Sequence, residues 1–225
     1  MKIIFNRTSI SSAISPLMYA VSGKSTISAA DGILIEARVP DTCIMTTFDL
    51  EKGVRIVVEA KVIEEGSYII NAQKFNQTLR VMDGEEITLS VDDKMVASIV
   101  SGKSSHKMIA LPASDFPSIP DLVSDRSFII SQAIVKKMFS QVAFAMGNND
   151  QRQVLNGTFV KIDDDSITMV ACDSFKLAKC TRKTEIENKS DDGDRLSYNF
   201  IVPIKTVNEL YKLLVSDDED AIVKI

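Results

Sequence analysis

The chain has 225 residues, 45% of them apolar and 25% charged, with a net charge of −5. That length fits two domains of ordinary size, and the balance is that of a globular chain. No apolar run approaches the roughly 20 residues needed to span a bilayer, and the N-terminus runs straight into a strand pattern with no secretory signal in it.

In chain order, Ile3-Ile4-Phe5 reads as a strand and Asn6 as the cap of an amphipathic helix over 6–16, with Pro16 disturbing its later part. Thr46-Thr47-Phe48-Asp49-Leu50 ends a later strand. Tyr68-Ile69-Ile70 leads into a second helix over 71–82. Its apolar face is Ala72, Phe75, Leu79 and Met82; Gln73, Asn76, Gln77 and Arg80 oppose it. Residues 86–91, 95–100 and 107–111 read as strands, and 112–120 as a proline-punctuated exit.

The same order then starts again. Phe128-Ile129-Ile130 is a strand that enters a third helix over 131–146. Ile134, Val135, Met138, Phe139 and Val142 form its apolar face, and Lys136, Lys137, Ser140 and Gln141 point away. Val170-Ala171-Cys172-Asp173-Ser174 answers the strand end at Asp49. Phe200-Ile201-Val202 leads into a fourth helix over 203–215, where Ile204, Val207, Leu210, Tyr211 and Leu214 oppose Lys205, Asn208, Glu209 and Lys212. A repeat of this length means one folding unit used twice. The expected fold is α+β, two helices packed on antiparallel sheets in each unit, with units at 1–124 and 125–225. The strands at 95–100 and 107–111 have no counterpart after 221–225. The expectation is a longer natural protein, and an uncovered strand edge that favours self-association.

Catalytic chemistry is sparse. Cys43, Cys172 and Cys180 have neither paired nor metal-type spacing and read as reduced, packed thiols. His106 is the one histidine, with no second for a zinc site. The acidic runs at 163–165, 191–194 and 217–220 lack the alternation of a calcium loop and read as solvated turns. Asp49 and Asp173 recur at equivalent positions, which points to a structural role at a strand end. No metal or cofactor is expected.

The helices carry Arg7, Lys74, Arg80, Lys136, Lys137, Lys205 and Lys212 against one acid, Glu209, in a chain that is acidic overall. Solvated lysines explain any one helix. They do not explain the near absence of acids, which form helices equally well, from all four. A shared positive face points to a polyanion, with nucleic acid bound through phosphates as the obvious candidate. The polar faces lack interleaved aromatics and there is no tryptophan, which disfavours a single-strand stacking platform.

Several motifs together resemble the bacterial sliding clamp family, the beta subunit of DNA polymerase III. They are Val21–Thr26 (V-S-G-K-S-T), Phe48–Glu51 (F-D-L-E), Leu111–Pro117 (L-P-A-S-D-F-P), Leu155-Asn156-Gly157 and Cys172–Ala178 (C-D-S-F-K-L-A). The resemblance covers the whole chain. It implies clamp domains of one fold, three to a chain, with two chains closing into a homodimeric ring around duplex DNA. Such a ring is non-catalytic, sequence-blind, cytoplasmic and associated with the nucleoid. It tethers DNA polymerase III and docks clamp-loader subunits and repair proteins through short motifs, with no membrane partner.

By position, the resemblance implies DNA contacts at Lys24, Arg80, Lys136, Lys137, Asn149, Lys205 and Lys212. Lys24 stands where the family usually has arginine, so it keeps the charge and loses the fork. A partner-peptide pocket is implied at Leu155, Cys172, Ser174, Phe175, Lys176 and Leu177. The family commonly has T-x-G-H-R-L over 172–177, so this chain departs at four of those positions. A subunit contact is implied at Lys74, Lys103, His106 and Met108; the family tends to have an aromatic at 106. The alternatives are a tandem scaffold with no DNA role, against which the helix charge argues, and an enzyme, for which no convergent titratable cluster is legible.

Overall fold

Alternation decides the first strand. In Lys2–Asn6 (β1), Ile3 and Phe5 are fully buried while Lys2 and Asn6 face water, the period-two pattern of a sheet with one wet face. The computed structural model describes residues 1–21, 28–50, 52–119, 127–189, 197–215, 217–218 and 220–225. Lys24, most of the V-S-G-K-S-T motif and the acidic run 191–194 lie outside the described residues. The chain divides into two units, Met1–Asp121 and Leu122–Ile225.

In the first unit β1 runs directly into α1 (Arg7–Leu17). The Asn6 side chain accepts from the Thr8 and Ser9 backbone N–H groups at 2.9 and 3.3 Å, so the expected cap is present. Pro16 does not break this helix. It sits one residue from the end, and the chain tightens at once into a 3-10 turn over Met18–Ala20, the disturbance expected of the helix's later part. Strands β2 (Gly32–Arg38), β3 (Thr42–Phe48), β4 (Gly53–Glu59), β5 (Lys61–Glu64) and β6 (Gly66–Asn71) follow. After α2 (Ala72–Val81) come β7 (Glu86–Val91), β8 (Val96–Ser101) and β9 (Ser104–Pro112). They form one antiparallel sheet in the order β4-β3-β2-β6-β9-β8-β7-β1-β5. Ile10, Ile14 and Leu17 of α1 and Phe75 and Leu79 of α2 are buried in one core with Ile3, Phe5, Ile33, Ile70 and Leu89 of the sheet. Each such side chain contributes roughly 1.5–3 kcal/mol by leaving water.

The second unit repeats this plan. Its elements are β10 (Phe128–Ser131), α3 (Gln132–Val142), β11 (Gly157–Asp163), β12 (Ser166–Cys172), β13 (Leu177–Lys183), β14 (Glu187–Asn188), β15 (Ser197–Pro203), α4 (Ile204–Leu213) and β16 (Ile222–Lys224). Strand orders are β14-β10-β16 and β13-β12-β11-β15. The first unit contains the same two runs, β5-β1-β7 and β4-β3-β2-β6, joined there by β8 and β9. The repeat read from the sequence is therefore also a repeat of topology. Helix α3 stops at Val142, short of the expected 146. The chain tightens into a 3-10 turn over Ala143–Ala145, after which the Gly147 N–H donates to the Leu155 carbonyl at 2.8 Å. Tyr211 also departs from expectation: it is 44% exposed and not part of the apolar face of α4. Among the described residues no helix is long and apolar enough to cross a membrane.

Candidate nucleic-acid interface and docking surfaces

The helix charge survives inspection of the folded elements: α1 to α4 hold seven basic side chains and Glu209 as the one acid. Their surroundings differ. Arg80 on α2 and Lys137 on α3 are exposed, and among the described residues no ion pair or hydrogen bond engages the side chain of either. Lys205 is exposed at the start of α4 and has an interaction partner within the chain. Lys212 is paired with Glu209 at 3.1 Å.

Lys136 corrects the expectation that it points away into solvent. Its ammonium donates to the carbonyl of Leu214, the C-cap of α4, at 2.8 Å and lies 5.3 Å from the Tyr211 ring centroid. A cation there satisfies an orphan carbonyl and the negative end of the helix. That contact also explains why Tyr211 is not turned into the core: its ring faces the lysine.

Asn149 stands on a loop with φ 57°, the left-handed region that asparagine tolerates. The loop is held by Asn156: its Oδ1 accepts from the Asp150 N–H at 2.9 Å, and its Nδ2 donates to the Asp150 carbonyl at 2.8 Å. The Asn156 carbonyl also accepts from the N–H of Ile204 at 2.9 Å, pinning the start of α4. Beside it, a Cβ on Gly157 would fall 2.5 Å from the Val202 carbonyl oxygen. The Leu155-Asn156-Gly157 motif thus ties the loop, strand β11 and helix α4 together.

The turn after β12 carries most of the expected peptide pocket. Asp173 accepts at Oδ1 from the N–H groups of Phe175 and Lys176 at 3.0 and 2.9 Å, and its Oδ2 meets the Lys176 ammonium at 2.9 Å. These contacts hold its carboxyl down at about 2. Asp49 does the same after β3: it accepts from the Lys52 N–H at 2.9 Å and pairs with that ammonium at 3.7 Å. Both turns place the next residue at positive φ, Leu50 at 75° and Ser174 at 80°. The structural role expected for the two aspartates is what they perform.

Ser174 therefore stands where glycine is easiest. Phe175 is 98% exposed and Leu177 65% exposed, while Leu155 and Cys172 are half-buried, so none of the four is a plain core residue. Cys172 and Leu177 face each other across β12 and β13. Arg152 was not singled out from the sequence. Its guanidinium forks onto both oxygens of Asp150 at 3.1 Å and reaches the Ser174 hydroxyl; that fork holds the Asp150 carboxyl below the ordinary carboxylate range. Its only signal in the sequence was a basic residue three places before Leu155.

Three of the four expected subunit-contact residues come together. Lys74, His106 and Met108 line a groove of about 610 Å³ between α2 and β9, with Gln77, Thr78, Val81, Lys107 and Ile109. Lys103 does not line it; it sits on the β8–β9 turn beside Gly102, whose φ is +58°. Among the described residues no cluster of His, Cys, Asp and Glu could hold a metal ion. Cys43 is buried, and that burial, with Glu36 nearby, pushes its thiol up to about 12, far from reactivity.

Sequence comparison assigns both units. Residues 1–120 match the N-terminal domain of the DNA polymerase III beta subunit, and residues 129–225 match its central domain. The chain is 29% identical over 222 residues to the beta sliding clamp of Chlamydia muridarum, covering 99% of this chain and 59% of that protein. It is 33% identical over 199 residues to the beta sliding clamp of Halalkalibacterium halodurans, covering 88% and 51%. The sliding clamp structure from Bacillus subtilis superimposes with a TM-score of 0.88 at 24% identity, covering 100% of this chain and 59% of that one. The chain thus spans between half and three-fifths of the length of these relatives. With each of its two units matched along nearly its full length, the chain belongs to the DNA polymerase III beta subunit family.

Proposed function

We propose that the chain forms part of a ring-shaped sliding clamp that encircles duplex DNA without reading its sequence and tethers the replicative polymerase to its template. The observation that carries this reading is the helix charge, seven bases against one acid in a chain of net −5. A slider needs many weak, screened phosphate contacts and no deep site. Acidic sheet surfaces and loops repel DNA from elsewhere and confine attraction to the helices. In this reading Arg80, Lys137 and Lys205 face phosphate directly, Asn149 reaches it from its loop, and Lys24 adds a further positive charge. Lys136 and Lys212 act behind them, through α4. The units are clamp domains 1–124 and 125–225, and no group is assigned a catalytic role.

The turn bearing Ser174, Phe175, Lys176 and Leu177, with Leu155 and Cys172, is the dock for short motifs of polymerase, loader and repair proteins, and an aromatic at 175 favours an apolar anchor there. The α2–β9 groove meets the neighbouring subunit of the ring. The setting is the bacterial cytoplasm, at the nucleoid.

Retention on DNA tests the ring. The full-length clamp subunit, loaded on a closed circular duplex, stays bound at high salt and falls off once the circle is cut. A tandem scaffold with no DNA role gives no retention on either form, and a simple surface binder gives the same salt-sensitive loss from both.

A further inference from the structure

Ser174 is the exposed middle of the turn after β12, and its backbone sits at φ 80°, where a side chain is strained and glycine is at ease. Within the turn its N–H donates to the Cys172 sulfur at 3.3 Å, a weak acceptor. Its hydroxyl is held from outside the turn, by the guanidinium of Arg152. Arg152 is itself fixed. Its Nε and Nη2 donate to the two oxygens of Asp150 at 3.1 Å, and Nη2 is also the donor to Ser174. Asp150 is anchored in its turn, because the Asn156 side chain grips its backbone N–H and carbonyl. One series of contacts thus runs from Asn156 through Asp150 and Arg152 to Ser174.

A hydrogen bond from a charged donor is roughly twice as strong as a neutral one, and this one falls on the residue of the turn with the least favoured backbone. The Asp150 carboxylate already balances the guanidinium, so Arg152 is not a free cation awaiting an acidic ligand. We infer that Arg152 is a positioning residue for motif docking: it acts through the Ser174 hydroxyl and holds the turn that presents Phe175 and Leu177 in its binding shape. This role rests on the reading of the turn as the dock for short motifs, and it adds a residue that works from behind the docking surface. A turn ordered in advance loses less freedom when a ligand arrives, so the contact appears as affinity. Because the effect passes through one hydroxyl, it vanishes when that hydroxyl is removed. A side chain that touched the ligand itself would keep its effect.

The test is the dissociation constant of the full-length clamp for a fluorescein-labelled synthetic peptide carrying the docking motif of its own replicative polymerase, read by fluorescence anisotropy. Arg152→Ala and Ser174→Ala should each weaken binding roughly fivefold to tenfold, the scale of one hydrogen bond. The double variant should bind no more weakly than either single one. Both positions are exposed, so the urea midpoint of each variant should match the wild type. Phe175→Ala, also at an exposed position, should weaken the peptide on its own. If Phe175→Ala binds as the wild type does, the turn is not the dock and the role of Arg152 falls with that reading. If Phe175→Ala weakens binding while Arg152→Ala does not, or the two single losses multiply in the double variant, only the positioning role is overturned. A urea midpoint that falls in step with affinity overturns it as well, since Arg152 would then support the unit as a whole.

Discussion

At the residue scale, the positions that matter most fix backbone. Asp173 organises its turn through three contacts at once, and Asp49 repeats the device in the first unit. Because the folded carboxyl of Asp173 is held at about 2, against about 3.9 for an unperturbed aspartate, its contribution is complete above the ordinary range. It is lost as pH falls through about 2. An NMR titration of the Asp173 carboxyl should give a midpoint near that value, and a midpoint in the ordinary range would remove the turn from the account. Gly157 is fixed by close approach, since an added methyl meets the backbone of β15. Gly157→Ala should cost about 2 kcal/mol, within the usual range for overpacking, read as a lowered urea midpoint at unchanged slope. The paired aspartates were legible because they recur in register. The grip of Asn156 on the Asp150 loop and the reach of Arg152 to Ser174 were not, because each joins residues that no local pattern relates.

At the element scale, the helical period was enough to find the four α-helices among the described residues, and the structure moves their ends by a few residues. Pro16 disturbs the later part as expected, since α1 ends one residue beyond it and gives way to a 3-10 turn. Tyr211 and Lys136 were misread for one shared reason. Helical periodicity assigns a face, but which neighbour that face meets is tertiary information. Here α3 lends its lysine to the C-terminus of α4, and the tyrosine turns outward to meet it. Lys136→Met keeps the stem and removes the ammonium. It should destabilise the second unit by about 1 kcal/mol, the scale of one hydrogen bond, in chemical denaturation. The salt slope of duplex binding should stay unchanged, and a slope reduced by a full charge would return Lys136 to the set of direct phosphate contacts.

At the scale of the whole molecule, the duplication was the strongest signal in the sequence, because two copies constrain one another. Strand orders β5-β1-β7 and β4-β3-β2-β6 reappear as β14-β10-β16 and β13-β12-β11-β15. In both units the sheet supports a helix pair whose exposed charges are mostly basic. The central claim is that the helices, and not the outer sheet surface, face the duplex. The most direct measurement is the salt dependence of sequence-independent duplex binding by two charge-neutralised variants of the chain. One replaces Arg80, Lys137 and Lys205 by Gln. The other does so at Lys161, Lys179 and Lys183, exposed on β11 and β13. At about 0.9 per phosphate, the helix variant should lose roughly 2.7 from the slope of log affinity against log salt, while the sheet variant keeps the wild-type slope. Loss of slope in the sheet variant, with none in the helix variant, would contradict the account.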